Sequence, residues 1–204
     1  MYFSNILNRL RETFERFGAN QEYSESQFIV SLKRVPRYKP GAIDFMGHQV
    51  EYLDSASFIS MHNDIFGEEV YRFRSSRSNP LIVDCGANIG LSVIYFNMLY
   101  PGSTIIAFEP SREVFNVLCR NVESFGIKRI DLHNAALWNE EKELEFMNEG
   151  ADGGRISNED SEFPLSKVRA VRLRSYMGER IDMLKIDIEG AEYEVLEDCE
   201  DLLD

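Results

Sequence analysis

The chain has 204 residues, of which 44% are hydrophobic and 28% charged, a balance that predicts one compact soluble domain with a short N-terminal addition. Its formal net charge of −13 argues against nucleic acid as a partner, because sequence-independent binding to phosphates requires a basic surface. Cysteines Cys85, Cys119 and Cys199 have neither disulfide nor metal-ligand spacing. Since no apolar run of about 18 residues and no signal-peptide pattern is present, we expect a cytoplasmic protein without a transmembrane segment.

Residues 1–79 are interpreted as an N-terminal extension. Its opening stretch has apolar residues at helical spacing beside three arginines: Phe3, Ile6, Leu7, Leu10, Phe14 and Phe17, with Arg9, Arg11 and Arg16. An amphipathic helix packed on its own domain explains this pattern, and a helix lying on a membrane surface is the less favoured alternative. The boundary is placed near Ser75 to Pro80, and the extension could cap the cleft of the core, residues 80–204.

From residue 81 the pattern alternates between strands and helices. The first unit is an apolar strand that ends in a glycine-bearing turn, followed by a helix over 91–99. The second unit is a strand over 104–108 and a helix with Ser111 as N-cap and Gly126 as its C-terminal stop. This alternation predicts a parallel sheet with right-handed crossovers.

The later segments extend the same pattern. A third strand is predicted over 130–137, and a hairpin pairs residues 142–147 with residues 168–173. The last strand, 183–188, precedes a helix whose apolar side is predicted to consist of Val195, Leu196, Cys199, Leu202 and Leu203. The predicted fold class is therefore α/β, a doubly wound Rossmann-like sheet with helices on both faces.

The turn after the first core strand has the features of a ligand-binding turn. Gly86 permits close approach of the backbone to a ligand, and Gly90 lets the helix lie against the strand. Glu109 ends the second strand, 19 residues after Gly90, where doubly wound folds place an acid on ribose hydroxyls. A simple tight connection and a helix-dipole role for Glu109 are the alternatives, but they leave the pairing of the two features unexplained.

Glycine spacing distinguishes between two cofactors. A dinucleotide such as NAD favours the triplet G-x-G-x-x-G, whereas this turn has only Gly86 and Gly90. Asp84, just before the turn, would be poorly placed beside a pyrophosphate but suits a cationic sulfonium and an ammonium group. S-adenosylmethionine is therefore favoured, and an NAD-linked oxidoreductase is the disfavoured alternative.

Lys185, Asp187 and Glu189 are three charged residues at the carboxyl end of the last predicted strand. In open α/β sheets, ligands bind at this edge. Asp187 is the candidate base or acceptor-orienting group, with Lys185 and Glu189 in support. A buried ion pair with helix-capping carboxylates is one alternative. A divalent cation held by Asp187 and Glu189 is another, although no other oxygen-ligand cluster accompanies them and no metal site is predicted.

Three runs of residues resemble the signature blocks of FkbM-type methyltransferases, in matching order and spacing over about 110 residues: Asp84–Gly90, Ala107–Pro110 and Leu184–Glu192. The resemblance implies a class I methyltransferase fold with S-adenosylmethionine as cofactor. It assigns cofactor binding to Asp84, Gly86, Ala87, Asn88, Gly90, Glu109, Ser111, Ala135 and Ala136. The stretch 150–155 also resembles a family loop near the cleft, with an ordinary glycine turn as an equal alternative.

The resemblance further implies methyl transfer to a hydroxyl group on a sugar, a glycolipid or a natural product. A catalytically inactive cofactor-binding or scaffold protein is the alternative. The chain departs from the family pattern in one respect, because a full sheet has seven strands and the predicted core strands end with 183–188, three short of that number. The last strand would then have an open apolar edge, which a homo-oligomeric partner could cover; otherwise the chain is C-terminally short.

Overall fold

The computed structural model describes residues 28–148, 154–156, 165–178 and 180–203. The predicted amphipathic helix at the start of the chain and most of the loop 150–155 lie outside these residues. The strands are β1 (Gly41–Phe45), β2 (His48–Tyr52), β3 (Leu81–Cys85), β4 (Thr104–Phe108), β5 (Ile130–His133), β6 (Ala136–Leu137), β7 (Lys142–Asn148), β8 (Gly154–Ile156), β9 (Leu165–Val171) and β10 (Met183–Ile186). The α-helices are α1 (Ser55–His62), α2 (Leu91–Leu99), α3 (Arg112–Ser124) and α4 (Glu192–Asp198), with a π-helical turn over Asn63–Gly67 and 3-10 turns over Leu173–Tyr176 and Glu200–Leu202.

Four of the described strands form a parallel sheet in the order β10-β3-β4-β5. The chain moves outward from β3 through β4 to β5 and then returns to the other side of β3, where it forms β10. This reversal is the topological switch point of a doubly wound fold, and ligands bind at the carboxyl ends of the strands beside it. The predicted α/β fold class is confirmed.

The described part of the extension, residues 28–79, is called the N-terminal segment, and it packs onto the helices of this sheet. Asn121 of α3 fixes the contact, because its side-chain amide donates to the Glu51 carbonyl of β2 at 3.0 Å and accepts from the Glu51 N–H at 2.8 Å. The same amide donates to the Ile89 carbonyl at 2.8 Å. Phe58 from α1 and Phe96 from α2 are fully buried in one hydrophobic cluster that spans both parts of the chain.

Four other described strands form a mixed sheet in the order β6-β9-β7-β8. The predicted antiparallel pairing is confirmed, since Leu144 of β7 lies opposite Val168 of β9, but β9 spans Leu165–Val171 and not the predicted 168–173. The single third strand predicted over 130–137 is wrong: β5 ends at His133, and β6 joins β9 in the second sheet. Asn134 separates them, because its side-chain amide donates to the carbonyls of Glu109 and Pro110, each at 2.9 Å, and turns the chain.

The last predicted strand and helix are shorter than expected. Pairing with β3 stops at Ile186 rather than at residue 188, because Cys85 is the last residue of β3 before its turn. In α4 and the residues that follow it, Val195 and Cys199 are fully buried as predicted, whereas Leu196, Leu202 and Leu203 are exposed, contrary to the prediction. The change to a 3-10 turn after α4 moves the last two leucines out of the helical period.

β10 forms an edge of the parallel sheet, since among the described strands it pairs with β3 alone. In the part of the chain that the structure describes, no helix is both long and apolar enough to cross a bilayer.

Candidate active site at the switch point

A cavity of about 230 Å³ opens at the carboxyl ends of β3, β4 and β10. Most residues assigned to the site by sequence line this cavity: Gly86, Ala87, Asn88, Glu109, Ser111, Ala135, Ala136, Lys185, Asp187 and Glu189. Asp84 and Gly90 are not among the lining residues, so direct contact of either with a cofactor stays a prediction. The strand order brings together residues from positions 86 to 189 because all these strands end at the same edge.

The glycine turn after β3 is held against β4 and β10. Gly86 has φ of +86°, and a Cβ at this position would lie 1.9 Å from the Asp187 carbonyl oxygen. The N–H groups of Gly86 and Ala87 donate to the Phe108 carbonyl at 3.1 and 2.8 Å. A side chain at residue 86 is therefore excluded by both conformation and space, which explains the glycine.

Gly90 has a different function in the same turn. It has φ of +93°, and a Cβ would lie 2.7 Å from the Leu118 side chain of α3. Gly90 therefore allows α2 and α3 to pack closely, whereas the sequence predicted that it lets the helix lie against the strand.

Glu109 is buried at the end of β4 with both carboxylate oxygens engaged. One oxygen accepts from the Asn88 N–H at 3.1 Å and the other from the Ser111 N–H at 2.9 Å. Burial raises the pKa of Glu109 to about 7, and the two backbone hydrogen bonds limit the rise. Glu109 thus links the glycine turn to the start of α3 and presents a carboxyl group to the cavity.

Lys185 and Asp84 form a buried ion pair beside the glycine turn. The Lys185 ammonium lies 3.0 Å from Asp84 Oδ1 and donates to the Gly86 carbonyl at 2.7 Å. Burial lowers the pKa of Lys185, but Asp84, Tyr71 and Asp187 together more than offset this, so the pKa is raised and the ammonium stays charged. Asp84 also accepts from the Ser92 hydroxyl at 2.5 Å, which fixes the pair to α2.

Asp187 lies at the mouth of the cavity, with 59% of its side chain exposed. Its Oδ2 is 3.9 Å from the Lys185 ammonium and accepts from the Tyr71 hydroxyl at 3.0 Å. The alternative of helix-capping carboxylates applies to Glu192 instead, since this residue accepts from the N–H groups of Ile188 and Gly190. Asp187 is therefore open to solvent and available to a second ligand.

The N-terminal segment supplies part of the cavity wall that sequence reasoning did not assign: Ser60, Met61, Asp64, Ile65 and Tyr71. Tyr71 lies in a turn region without regular pattern, 116 residues from Asp187. No local spacing indicates such a contact, so only the folded chain reveals it.

Over residues 28–148, 154–156, 165–178 and 180–203, no group of three or more His, Cys, Asp or Glu side chains is arranged to hold a metal ion.

The fold and cavity define a doubly wound α/β protein with a cavity at its switch point. Residues 84–204 match the family model described as the methyltransferase FkbM domain. The chain belongs to the FkbM methyltransferase family, which confirms the resemblance of the three sequence blocks.

Relatives and solved structures similar to this chain include two methyltransferases and one crystal structure. The chain is 34% identical over 181 residues to methyltransferase sdnD of Sordaria araneosa, covering 69% of this chain and 68% of the relative. It is 26% identical over 193 residues to the 31-O-demethyl-FK506 methyltransferase FkbM of Streptomyces tacrolimicus, covering 76% and 74%. The structure of methyltransferase FkbM from Methylobacillus flagellatus KT aligns with a TM-score of 0.47 and 21% identity, over 68% of this chain and 32% of that chain.

Proposed function

We propose that the chain transfers a methyl group from S-adenosylmethionine to an acceptor hydroxyl. The observation that carries this proposal is the meeting of the glycine turn, Glu109 and Asp187 around one cavity at the switch point. Family membership supports methyl transfer in general, while the cofactor and the hydroxyl acceptor are inferred from the site.

The residues present fit S-adenosylmethionine. Gly86, Ala87 and Asn88 of the glycine turn line the cavity beside Glu109, whose carboxyl group would accept hydrogen bonds from ribose hydroxyls. Ala135 and Ala136 would flank the adenine. When bound, the cofactor supplies an electrophilic methyl group on a cationic sulfonium, and the carboxylates of the cavity complement that charge.

Asp187 is assigned to the acceptor. As an exposed carboxylate at the cavity mouth, it would accept a hydrogen bond from the acceptor hydroxyl, orient its oxygen and take its proton. Lys185 is buried, paired with Asp84 and bonded to the Gly86 carbonyl, so its role is to hold the turn rather than to move protons. Glu189 lines the same cavity and would contribute to acceptor binding.

A small-molecule, sugar or glycolipid acceptor is proposed. The relative from Streptomyces tacrolimicus is named a 31-O-demethyl-FK506 methyltransferase, and the oxygen in that name supports an oxygen acceptor for this chain. The wall formed by Ser60, Asp64 and Tyr71 lines the same cavity as Asp187, and we assign acceptor selection to it.

The direct test is a methyl-transfer assay with labelled S-adenosylmethionine against glycans, glycolipids and small alcohols. We expect label to be transferred to an oxygen of at least one acceptor class and Asp187→Asn to reduce this transfer by about a hundredfold or more, as for loss of a general base. Cofactor binding without transfer to any acceptor would favour the inactive scaffold alternative.

A further inference from the structure

The hydroxyl of Tyr71 connects the N-terminal segment to the proposed base. It donates to Asp187 Oδ2 at 3.0 Å. The Lys185 ammonium approaches the same oxygen at 3.9 Å, and within the described residues no hydrogen bond reaches Asp187 Oδ1. One oxygen of the carboxylate is therefore engaged by the protein, and the other is open to a ligand.

The ring of Tyr71 is fixed by neighbours on two sides. Its centroid lies 6.1 Å from that of Phe96, which is fully buried in α2, and the Lys185 ammonium lies 5.2 Å from the Tyr71 ring. Cation–π attraction and aromatic packing both restrict the ring. The position of the hydroxyl is thus set by the hydrophobic core and the buried ion pair, rather than by Asp187 alone.

The protonation state of Tyr71 suits a permanent donor. Burial and the nearby Asp187 carboxylate raise the pKa of Tyr71 to about 12, although Lys185 acts in the opposite direction. The phenol therefore keeps its proton at neutral pH. It donates to Asp187 and does not compete with it for the acceptor proton.

We infer that Tyr71 is a positioning residue, which holds Asp187 through Oδ2 so that Oδ1 receives the acceptor hydroxyl. This role depends on the proposed function, since it assigns Asp187 to the acceptor. It also gives the N-terminal segment a part in methyl transfer: a shift of the turn that contains Tyr71 would move the proposed base.

The test compares two tyrosines that differ in their partners. Tyr71→Phe removes the hydroxyl and keeps the ring over Lys185, whereas the matched control Tyr95→Phe removes a hydroxyl that donates to Glu69 at 3.3 Å, outside the cavity wall. We expect Tyr71→Phe to lower kcat about tenfold, the effect of losing a hydrogen bond to a charged group, with the Kd for S-adenosylmethionine within about twofold of wild type. Tyr95→Phe should retain the wild-type kcat. Equal kcat values for Tyr71→Phe and the control would overturn the assignment.

A double-mutant cycle separates positioning from a general structural effect. In the Asp187→Asn background, Tyr71→Phe should cause no further loss of kcat, because the group that Tyr71 positions is already absent. The same loss in both backgrounds would show that Tyr71 acts independently of Asp187, and the inference would be wrong.

A second cycle does not require turnover. Chemical unfolding of wild type, Tyr71→Phe, Asp187→Asn and the double variant should give a coupling of about threefold to tenfold in the unfolding equilibrium constant. Zero coupling would contradict the contact itself. If the wild type binds no S-adenosylmethionine while this coupling is present, the proposed function fails and the contact is retained as a structural one.

Discussion

At the residue scale, the site combines buried charged groups with the exposed carboxylate of Asp187. Glu109 and Lys185 are both buried, but Lys185 has a carboxylate partner whereas Glu109 accepts hydrogen bonds from backbone N–H groups. Burial therefore shifts the pKa of Glu109 upward, while the Lys185 ammonium is retained. Asp187 lies outside this buried group, which suits a residue that must meet an acceptor.

The raised pKa of Glu109 predicts a specific pH dependence of stability. Because its pKa is about 7 in the folded protein and 4.5 for an unperturbed glutamate side chain, the folded state holds the extra proton between these values. The free energy of unfolding therefore falls as pH rises through this window, by up to about 3 kcal/mol above pH 7. Below pH 4.5 Glu109 is protonated in both states and does not reduce the free energy of unfolding.

Glu109→Gln removes this titration. Relative to wild type, the variant should gain stability on going from about pH 5 to about pH 8, measured by urea unfolding at the two pH values. An unchanged difference between the two proteins would show that Glu109 titrates normally.

The Lys185 and Asp84 pair predicts a large effect of removing one partner. Lys185→Met leaves the Asp84 carboxylate buried without its cation, at a cost of about 3–5 kcal/mol in the free energy of unfolding. The double variant Lys185→Met with Asp84→Asn should recover part of this loss. The matched control is Lys167→Met, which breaks an exposed pair with Glu143 and should leave stability nearly unchanged in the same denaturation assay. Equal effects at both sites would contradict the account of the buried pair.

At the element scale, the turn between β3 and α2 is the part of the site that tolerates substitution least. Gly86→Ala would place a Cβ against the Asp187 carbonyl oxygen in a left-handed backbone conformation, so we expect a loss of about 2 kcal/mol or more in stability and loss of cofactor binding. Gly126→Ala is the matched control, since its φ is +64° but nothing lies within 4 Å of the added Cβ. It should cost only about 1 kcal/mol. Thermal unfolding and calorimetry check both variants, and similar losses for the two would show that strain alone explains residue 86.

The turns and strand ends around the cavity differ in how far the sequence predicts them. The glycine turn and Glu109 follow directly after neighbouring strands, and local period and turn chemistry are sufficient to predict these positions. The break at Asn134 and the contact of Tyr71 with Asp187 depend on groups far apart in the chain. No local pattern contains this information, because such contacts form only when the elements are packed together.

At the scale of the whole molecule, the N-terminal segment and the parallel sheet share one hydrophobic core. Phe58 and Val50 from the segment are buried in the same cluster as Ile82 and Leu118. A chain limited to residues 80–204 would expose the apolar surface that these residues cover. We therefore expect that shorter chain to show no cooperative thermal transition by circular dichroism. Cooperative unfolding with retained cofactor binding would show that residues 1–79 are a separable extension.

The central claim is that the cavity binds S-adenosylmethionine through the glycine turn and Glu109. Calorimetric titration of wild type and Glu109→Gln with S-adenosylmethionine, and of wild type with NAD, tests it most directly. We expect one molecule of S-adenosylmethionine per chain, about tenfold weaker binding by Glu109→Gln from loss of a charged hydrogen-bond acceptor, and no binding of NAD. Tight binding of NAD with no binding of S-adenosylmethionine would contradict the account.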